Sequence, residues 1–246
     1  RWRLYQTGWR CGSHHTDRKP IQSYSTHGGI SGGGLALPRL SPRPATDRNK
    51  VVRVRPSGLR TNNMKRAVFL DRDGVINRAI VHNGRPYPPA TLEQLEFLPG
   101  AEQAIHKLRK AGFLVIVVTN QPDVATGVQS REMVEAMHHR LRAAGLCDDV
   151  KACYHTDADG CDCRKPKPGM LINAAREWQI DLARSFMVGD RWRDVAAGKA
   201  AGCHTFFIDY KYREQRADGP NAVVGSLEEA GELILQELHT RGELTR

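Results

Sequence analysis

Chemically active side chains gather in four short segments, and each segment follows directly on an apolar run. Two carboxylates lie in FLDRDG (69–74), a hydroxyl and two amides in VVTNQ (117–121), three cations in CDCRKPKPG (161–169) and one more acid in MVGD (187–190). Apolar runs that end in polar residues are typical of strand exits, where open α/β sheets build their sites. Phosphoryl transfer needs a nucleophile, a second acid, a hydroxyl, an ammonium group and a metal-binding carboxylate. The candidates are Asp71, Asp73, Thr119, Lys165 and Asp190.

The first segment holds two acids that are separated by a single residue. Asp71 and Asp73 are followed by Gly74, where the chain leaves the strand, so we expect both carboxylates to converge on a small volume. Carboxylates that are this close repel each other, and a divalent cation between them relieves the repulsion. Asp190 can add a third oxygen ligand of the kind that Mg²⁺ prefers. A single DxDG is equally typical of a plain turn, but four such segments in order predict a magnesium-dependent site.

Three cysteines and a histidine form a second cluster within eleven residues. They are Cys153, His155, Cys161 and Cys163, and such a Cys₃His set is typical of a closed structural zinc site. Buried thiols beside an incidental histidine are the alternative, and the close spacing favours zinc. A disulfide framework would spread its cysteines through the domain, so the cluster indicates a reducing compartment and we expect a cytoplasmic protein. The isolated Cys147 and Cys203 are predicted to pack in the core.

These segments lie in a chain that alternates apolar, β-rich runs with helical patterns from Met64 onward. Strands are predicted at 67–70, 114–119, 151–155, 185–189, 205–208 and 222–224, and helices near 100–111, 130–144, 168–178, 192–201 and 227–239. Alternation of this kind gives a parallel sheet with helices on both faces. The predicted fold is therefore α/β, a three-layer Rossmann-like parallel sheet. No long insertion separates the segments, so we expect an open site in which the loop 78–94 selects the substrate.

The formal net charge of +10 is confined to the first 63 residues. They contain twelve of the 37 Lys and Arg residues and two of the 27 acids, which leaves 25 of each sign in 64–246. Because binding to a phosphate backbone needs a positive surface, a nucleic-acid-binding protein is the less favoured alternative. Such a protein would use the basic stretch and the zinc loop. No apolar run reaches the length of about 18 residues that a membrane span requires.

The basic stretch 1–63 is rich in Gly, Pro and Arg and has no sustained periodicity. Such a composition buries too little apolar surface to offset chain entropy, so disorder is predicted. The first methionine is Met64, directly before KRAVFLDRDG. We interpret the residues before it as a gene-start error or a fragment of something longer, in preference to a functional basic tail. The predicted domain is 64–246.

The four segments, in this order, resemble the motifs of the haloacid-dehalogenase-like (HAD) phosphatases, and the match runs from about Met64 to about Ile208. Within that superfamily the chain is similar to the small branch that holds heptose bisphosphate phosphatases and the histidinol-phosphate phosphatase domain. The resemblance implies a Mg²⁺-dependent phosphomonoester hydrolase with a zinc-stabilised loop and no large cap domain. A small phosphorylated molecule is the implied partner, without membrane or nucleic acid, and a monomer is favoured.

The same resemblance implies a role for each candidate residue. Asp71 would be the nucleophile that forms an aspartyl-phosphate, and Asp73 would act first as general acid and then as base. Thr119 and Lys165 would bind the transferring phosphoryl oxygens. Magnesium would be held by the carboxylates of Asp71 and Asp190 and by the backbone carbonyl of Asp73. The residues expected to border or bind the substrate are Asn120, Gln121, Arg164 and Arg191.

Two substrates are compatible with the resemblance. The first is D-glycero-D-manno-heptose 1,7-bisphosphate, cleaved at position 7, and the alternative is histidinol phosphate. TNQPDVATG (119–127) departs from the TNQSG usual in heptose enzymes, and the five-residue gap between His155 and Cys161 resembles the histidinol-phosphate branch. Arg164 either grips a second phosphate or a sugar hydroxyl, or is a surface residue beside the zinc loop. Asp194 is either a partner of the metal or Lys165, or a charge at a helix N-terminus.

Overall fold

The computed structural model describes residues 64–242, so the prediction of a disordered stretch over 1–63 lies outside the described residues. The strands in the described range are β1 (Arg66–Leu70), β2 (Ile80–His82), β3 (Arg85–Tyr87), β4 (Phe113–Asn120), β5 (Asp149–Cys153), β6 (Phe186–Gly189), β7 (His204–Ile208) and β8 (Ala222–Val224). The α-helices there are α1 (Ala101–Lys110), α2 (Arg131–Ala143), α3 (Gly169–Trp178), α4 (Trp192–Ala201) and α5 (Leu227–Thr240). None of these helices combines the length and the apolar character that crossing a membrane requires.

Six strands form one parallel sheet in the spatial order β5-β4-β1-β6-β7-β8. Leu70 of β1 lies opposite Val117 of β4 on one side and Val188 of β6 on the other. Counted along the chain, this is the Rossmann order 3-2-1-4-5-6, in which the strand order reverses at β1. Open sheets of this type bind ligands beyond the carboxyl ends of the strands at that reversal.

The core has two apolar layers, one on each face of the sheet. Val68 and Leu70 belong to the layer shared with α1 and α5, whereas Ala67 and Phe69 belong to the layer shared with α3 and α4. The alternation follows from the period of two along a strand. All four side chains are completely buried, as expected for a central strand covered on both faces. The predicted three-layer α/β architecture is therefore confirmed.

The edge strand β5 is shifted relative to its prediction. It runs from Asp149 to Cys153 rather than over 151–155, and all but its last residue are only partly buried. The early start follows from pairing with β4, where Asp149 lies opposite Ile116. Tyr154 and His155 have already left the strand, because the chain turns there into the segment that carries the remaining cysteines.

Part of the segment 78–94, predicted as a loop, is a β-hairpin. Strands β2 and β3 pair in antiparallel fashion around Asn83 and Gly84, whose φ angles of 51° and 77° are both positive. Two positive φ angles are the requirement of a type I′ turn, which favours Asn-Gly. The Asn-Gly pair between IVH and RPY was a sequence signal for this hairpin. The Gly84 carbonyl accepts a 2.7 Å hydrogen bond from the Arg213 amide, which ties the hairpin to the segment after β7.

Candidate active site

Three strand ends meet at the carboxyl edge of the sheet, where the strand order reverses. Asp71 follows β1, Thr119 lies near the end of β4, and Asp190 follows β6. Lys165 comes from the loop between β5 and α3 and reaches the same edge, where its ammonium group contacts Asp71. All four residues are buried. The structure thus gathers residues that lie up to 119 positions apart in the sequence.

The Lys165 ammonium group is the centre of the charge network. Its Nζ lies 2.6 Å from Asp194 Oδ1 and 3.0 Å from Asp71 Oδ1, and it donates a 2.7 Å hydrogen bond to the Val118 carbonyl. Burial acts to lower the pKa of Lys165, but the two carboxylates raise it and prevail. Lys165 is therefore a fixed positive charge, which is what stabilisation of phosphoryl oxygens requires.

Three buried carboxylates, those of Asp71, Asp190 and Asp194, each place an oxygen within 4.8 Å of the others. Burial and the neighbouring carboxylates raise the pKa of Asp190 well above its usual range. Burial also raises the pKa of Asp71 to about 6, although Lys165 opposes the shift. Among the described residues neither oxygen of Asp190 accepts a hydrogen bond of ordinary geometry, although the Tyr212 hydroxyl approaches this carboxylate and acts to lower its pKa. Because a cluster of buried carboxylates is costly, this all-oxygen donor set fits a divalent cation such as Mg²⁺.

Two glycines make room for these acids. Gly74 has a left-handed φ of +83°, and a Cβ there would overlap the Asp190 carboxylate. A Cβ on Gly189 would overlap the Asp194 side chain. The glycines of DRDG and VGD are therefore required by the close approach of the backbone to the carboxylates.

The Asp73 carboxylate is occupied by a separate set of hydrogen-bond donors. Burial acts to raise the pKa of Asp73, but these donors hold it below its usual value. The contacts lie between 2.9 and 3.0 Å and come from Arg72 Nε and Nη2, Asn77 Nδ2 and Gln121 Nε2. Asp73 is therefore held in its ionised form.

Because these donors engage the Asp73 carboxylate, the prediction that a cation lies between the carboxylates of Asp71 and Asp73 gains no support. Arg72 is completely buried and needs a carboxylate partner, and it takes that of its neighbour Asp73. The acid that completes the buried cluster is Asp194, which both contacts Lys165 and accepts a 2.9 Å hydrogen bond from the Arg191 amide at the start of α4. Both of the roles considered for Asp194 thus apply. Metal binding by the Asp73 backbone carbonyl stays a prediction.

Arg72 is a site residue that the sequence reading missed. Its Nη1 lies 3.4 Å from His138 Nε2, and His138 Nδ1 lies 3.5 Å from Glu135 Oε2. Burial lowers the pKa of His138, so this ring is neutral beside the guanidinium. A basic residue between two acids at a strand exit was the available signal, but α2 supplies the histidine and only the fold shows that they meet.

The amides expected to contact the substrate are engaged within the protein. Asn120 Nδ2 donates to the Lys165 carbonyl at 3.0 Å, and Asn120 Oδ1 accepts from the Lys165 amide at 3.1 Å. Gln121 Nε2 contacts both Thr119 Oγ1 and Asp73 Oδ2 at 2.9 Å. The amides therefore position Lys165, Thr119 and Asp73, and the prediction that they bind substrate gains no support.

The two predicted substrate-binding arginines differ in how fully they are paired. Arg191 makes a two-pronged contact with Glu214, at 2.9 Å from Nε to Oε1 and 2.5 Å from Nη2 to Oε2. Arg164 Nε donates to Asp157 Oδ1 at 2.8 Å, but its buried Nη1 has no partner among the described residues. Arg164 thus keeps an unused donor, whereas the charge of Arg191 is already compensated.

The cysteine cluster has the dimensions of a tetrahedral metal site. The Sγ atom of Cys153 lies 3.7 Å from that of Cys161 and 3.4 Å from that of Cys163, and 3.4 Å separate the other two. His155 Nδ1 lies 3.5 Å from Cys153 Sγ and 3.3 Å from Cys163 Sγ. Tetrahedral zinc with bonds of about 2.0–2.3 Å needs ligand separations of roughly 3.5–3.8 Å. The four predicted ligands therefore fit zinc, and Cys147 and Cys203 pack in the core as predicted.

A groove of about 260 Å³ opens beside Gly74. One wall comes from Arg78 and the hairpin β2–β3, and the other from Tyr210, Lys211 and Tyr212 in the segment after β7. The groove begins next to the carboxylate cluster, because Gly74 touches Asp190. It provides room for the non-reacting part of a small substrate.

Comparisons with known proteins agree with this geometry. The sequence profile of haloacid dehalogenase-like hydrolases matches residues 78–202. A protein of Rhodopseudomonas palustris named D-glycero-beta-D-manno-heptose-1,7-bisphosphate 7-phosphatase is 42% identical over 152 residues, which cover 57% of this chain and 81% of that protein. A Thermosynechococcus vestitus protein named D-glycero-D-manno-heptose-1,7-bisphosphate 7-phosphatase is 33% identical over 198 residues, which cover 71% of this chain and 98% of that protein.

A solved structure is similar over the same region. It is the D,D-heptose 1,7-bisphosphate phosphatase of Bordetella bronchiseptica, complexed with magnesium and phosphate. It superposes with a TM-score of 0.62 at 32% identity and covers 70% of this chain and 99% of its own. The chain therefore belongs to the haloacid dehalogenase-like hydrolase family.

Proposed function

We propose that the protein is a phosphomonoester hydrolase that removes the 7-phosphate of D-glycero-D-manno-heptose 1,7-bisphosphate. The observation that carries the hydrolase chemistry is the buried Lys165 ammonium group, which lies between Asp71 and Asp194 beside the buried carboxylate of Asp190. A fixed cation next to a carboxylate nucleophile suits attack on a negatively charged phosphoryl group. The names of the similar proteins support the choice of substrate.

In the proposed mechanism an oxygen of Asp71 attacks phosphorus, and the bond from phosphorus to the sugar oxygen breaks as Asp73 gives that oxygen a proton. Water then attacks the aspartyl-phosphate, Asp73 takes back a proton, and phosphate leaves with Asp71 restored. The donors around Asp73 favour its ionised form, which supports the second step, in which it acts as a base. The same donors oppose the first step, so Asp73 must take up a proton before the ester bond breaks. Lys165 and Thr119 bind the phosphoryl oxygens during both steps.

Two metals complete the proposal. Mg²⁺ would be held by the carboxylates of Asp71 and Asp190 and by the Asp73 carbonyl, and it would neutralise charge on the phosphoryl oxygens. Zinc at the cysteine cluster would be structural, because four protein ligands leave no open position. It would hold the loop that ends in Arg164 and Lys165. A reducing compartment keeps thiols available as ligands, so the cytoplasm is the proposed location.

Replacing Cys161 with Ser should lower the zinc content below one per chain and lower the melting temperature by about 5 °C or more, since a bound structural metal contributes to folding. Elemental analysis and thermal melting measure the two effects. Cys203→Ala is the control, because Cys203 lies outside the ligand set and zinc should stay bound. Wild-type protein that contains no zinc as purified, or that melts at the same temperature with and without zinc, would contradict a structural zinc site.

Histidinol phosphate is the second candidate substrate, and the five-residue gap between His155 and Cys161 favours it. A phosphate-release panel should compare both anomers of heptose 1,7-bisphosphate with fructose 1,6-bisphosphate, histidinol phosphate and p-nitrophenyl phosphate. We expect heptose bisphosphate to give the highest kcat/KM. Arg164→Ala should reduce that advantage by roughly 10- to 100-fold, the scale of one hydrogen bond to a charged group.

The exposed Arg176 provides the matched control, and Arg176→Ala should leave the order of substrates unchanged. A highest efficiency on histidinol phosphate would replace the heptose assignment and leave the phosphatase chemistry in place. Hydrolysis of none of these esters would remove the proposed function.

A further inference from the structure

Two arginines converge on one acid beside the reaction centre. Asp157 Oδ1 accepts hydrogen bonds from Arg164 Nε at 2.8 Å and from Arg193 Nη1 at 2.9 Å, and Asp157 Oδ2 accepts one from Arg193 Nη2 at 3.2 Å. Arg193 Nη1 also lies 3.5 Å from the carbonyl oxygen of Lys165. Arg164 directly precedes Lys165 in the sequence. Both guanidinium groups therefore lie close to Lys165, the residue whose ammonium group contacts Asp71.

The acid and the arginines differ in exposure. The side chain of Asp157 is 63% exposed, whereas those of Arg193 and Arg164 are 25% and 14% exposed. The acid thus covers the pair from the solvent side. Two positive charges face one negative charge, and Arg164 Nη1 keeps a donor that Asp157 does not fill. A phosphate dianion offers three oxygens and two charges, which matches two guanidinium groups better than a single carboxylate does.

The zinc loop explains why Asp157 lies over the arginines. Asp157 opens a one-turn helix between the zinc ligands His155 and Cys161. The turn is closed by Asp159, whose Oδ2 accepts hydrogen bonds from Thr156 N at 2.7 Å and Thr156 Oγ1 at 2.8 Å. Asp159 therefore fixes the turn, and the Asp157 side chain can leave the arginines by rotation without any change in the turn.

We propose that Arg164 and Arg193 form the receptor for the phosphate that is not cleaved, and that Asp157 occupies this receptor in the free enzyme as an internal competitor. A bisphosphate binds by displacing the Asp157 carboxylate, whereas a monophosphate leaves it in position. The inference rests on the proposed function and adds Arg193 and Asp157 to the groups that set specificity. The inference predicts the direction of one change: removal of the competing charge at Asp157 should increase the preference for bisphosphates over monophosphates.

The test compares esters that differ only in the distal phosphate, and its measure is the ratio of kcat/KM for bisphosphate over monophosphate. The pairs are heptose 1,7-bisphosphate with heptose 7-phosphate, and fructose 1,6-bisphosphate with fructose 6-phosphate. Asp157→Asn should raise the ratio about two- to fivefold, the scale of a partly exposed ion pair. Arg193→Met should lower the ratio about tenfold or more. Asp162→Asn is the control, because its 95% exposed carboxylate lies in the same loop and pairs with Lys167.

The energetic coupling between Asp157 and Arg193 gives a second readout. In the Arg193→Met background, Asp157→Asn should change the ratio less than it does alone, because the competitor has lost one of its two partners. A fall of the ratio in Asp157→Asn would show that the acid positions the arginines, and would overturn the proposal. An unchanged ratio would overturn it as well.

The outcomes also separate this inference from the substrate assignment. If wild type prefers heptose bisphosphate and Asp157→Asn leaves the ratio unchanged, the inference fails and the proposed function stands. If wild type cleaves neither heptose ester but Asp157→Asn raises the fructose ratio, the substrate assignment fails and the phosphate receptor stands. Zinc content and thermal melting of each variant check that the loop remains folded.

Discussion

Replacing Asp71 with Asn should lower kcat for every phosphate ester by roughly 10⁴-fold or more, the scale on which enzymes lose activity with their covalent nucleophile. An amide has no anionic oxygen with which to form an acyl phosphate. Folding should survive, because the change removes a buried charge. Burial raises the pKa of Asp71 to about 6, so the ionised form, which still predominates at neutral pH, lowers the free energy of unfolding, and an uncharged amide avoids that cost.

Phosphate release and thermal melting in EDTA together test this expectation. The melting temperature of Asp71→Asn without metal should equal or exceed that of wild type, whereas a general loss of structure would lower it. Asp218→Asn serves as the matched control, since that carboxylate is fully exposed and 3.7 Å from Lys199. Turnover of Asp71→Asn at more than a few per cent of the wild-type rate would remove the nucleophile assignment.

The sheet could be predicted because each central strand is an uninterrupted apolar run between turn signals. Residues 66–70 and 113–120 are buried by neighbouring strands and by helices on both faces, and only strongly apolar sequences tolerate that position. The edge strand β5 gave a weaker signal, since one of its sides has no strand neighbour within the described range. The hairpin β2–β3 was missed because three-residue strands are too short for a periodic pattern, and its signal is the turn.

The locations of the acids at the site could be predicted, but their partners could not. A residue after a buried strand must lie at the edge of the sheet, and this rule placed both Asp71 and Asp190 correctly. Which carboxylate meets which cation depends on contacts between distant segments. Arg72 could have paired with either adjacent acid, and the fold decides in favour of Asp73.

The same limit applies to the surroundings of the active site. Arg191 meets Glu214, 23 residues away, and Arg193 meets Asp157, 36 residues away. Neither spacing follows a helical or strand period, because each pair is separated by a helix and the strand that follows it. Charged residues in loops are common and most are solvated, so the sequence alone gave no reason to join these particular ones.

The largest combined effect is expected from Lys165, because this residue serves both folding and the proposed reaction. Lys165→Met removes the cation between two buried carboxylates, at 2.6 Å from Asp194 and 3.0 Å from Asp71. Loss of one partner of a buried ion pair costs about 3–5 kcal/mol, so we expect the free energy of unfolding in EDTA to fall by that amount. We also expect kcat to fall roughly 10²- to 10³-fold, the scale of one lost charge stabiliser in the transition state.

A double variant separates the two effects. Lys165→Met with Asp194→Asn removes the uncompensated charge together with the lysine, and the amide oxygen introduced at position 194 can still accept the hydrogen bond from the Arg191 amide. The double variant should therefore recover much of the lost stability in urea titrations and none of the lost activity. Lys199→Met is the control, since its 46% exposed side chain reaches the Asp218 carbonyl rather than the site. Recovery of activity along with stability would show that Lys165 only supports the fold, and the ammonium group would then have no part in binding the phosphoryl oxygens.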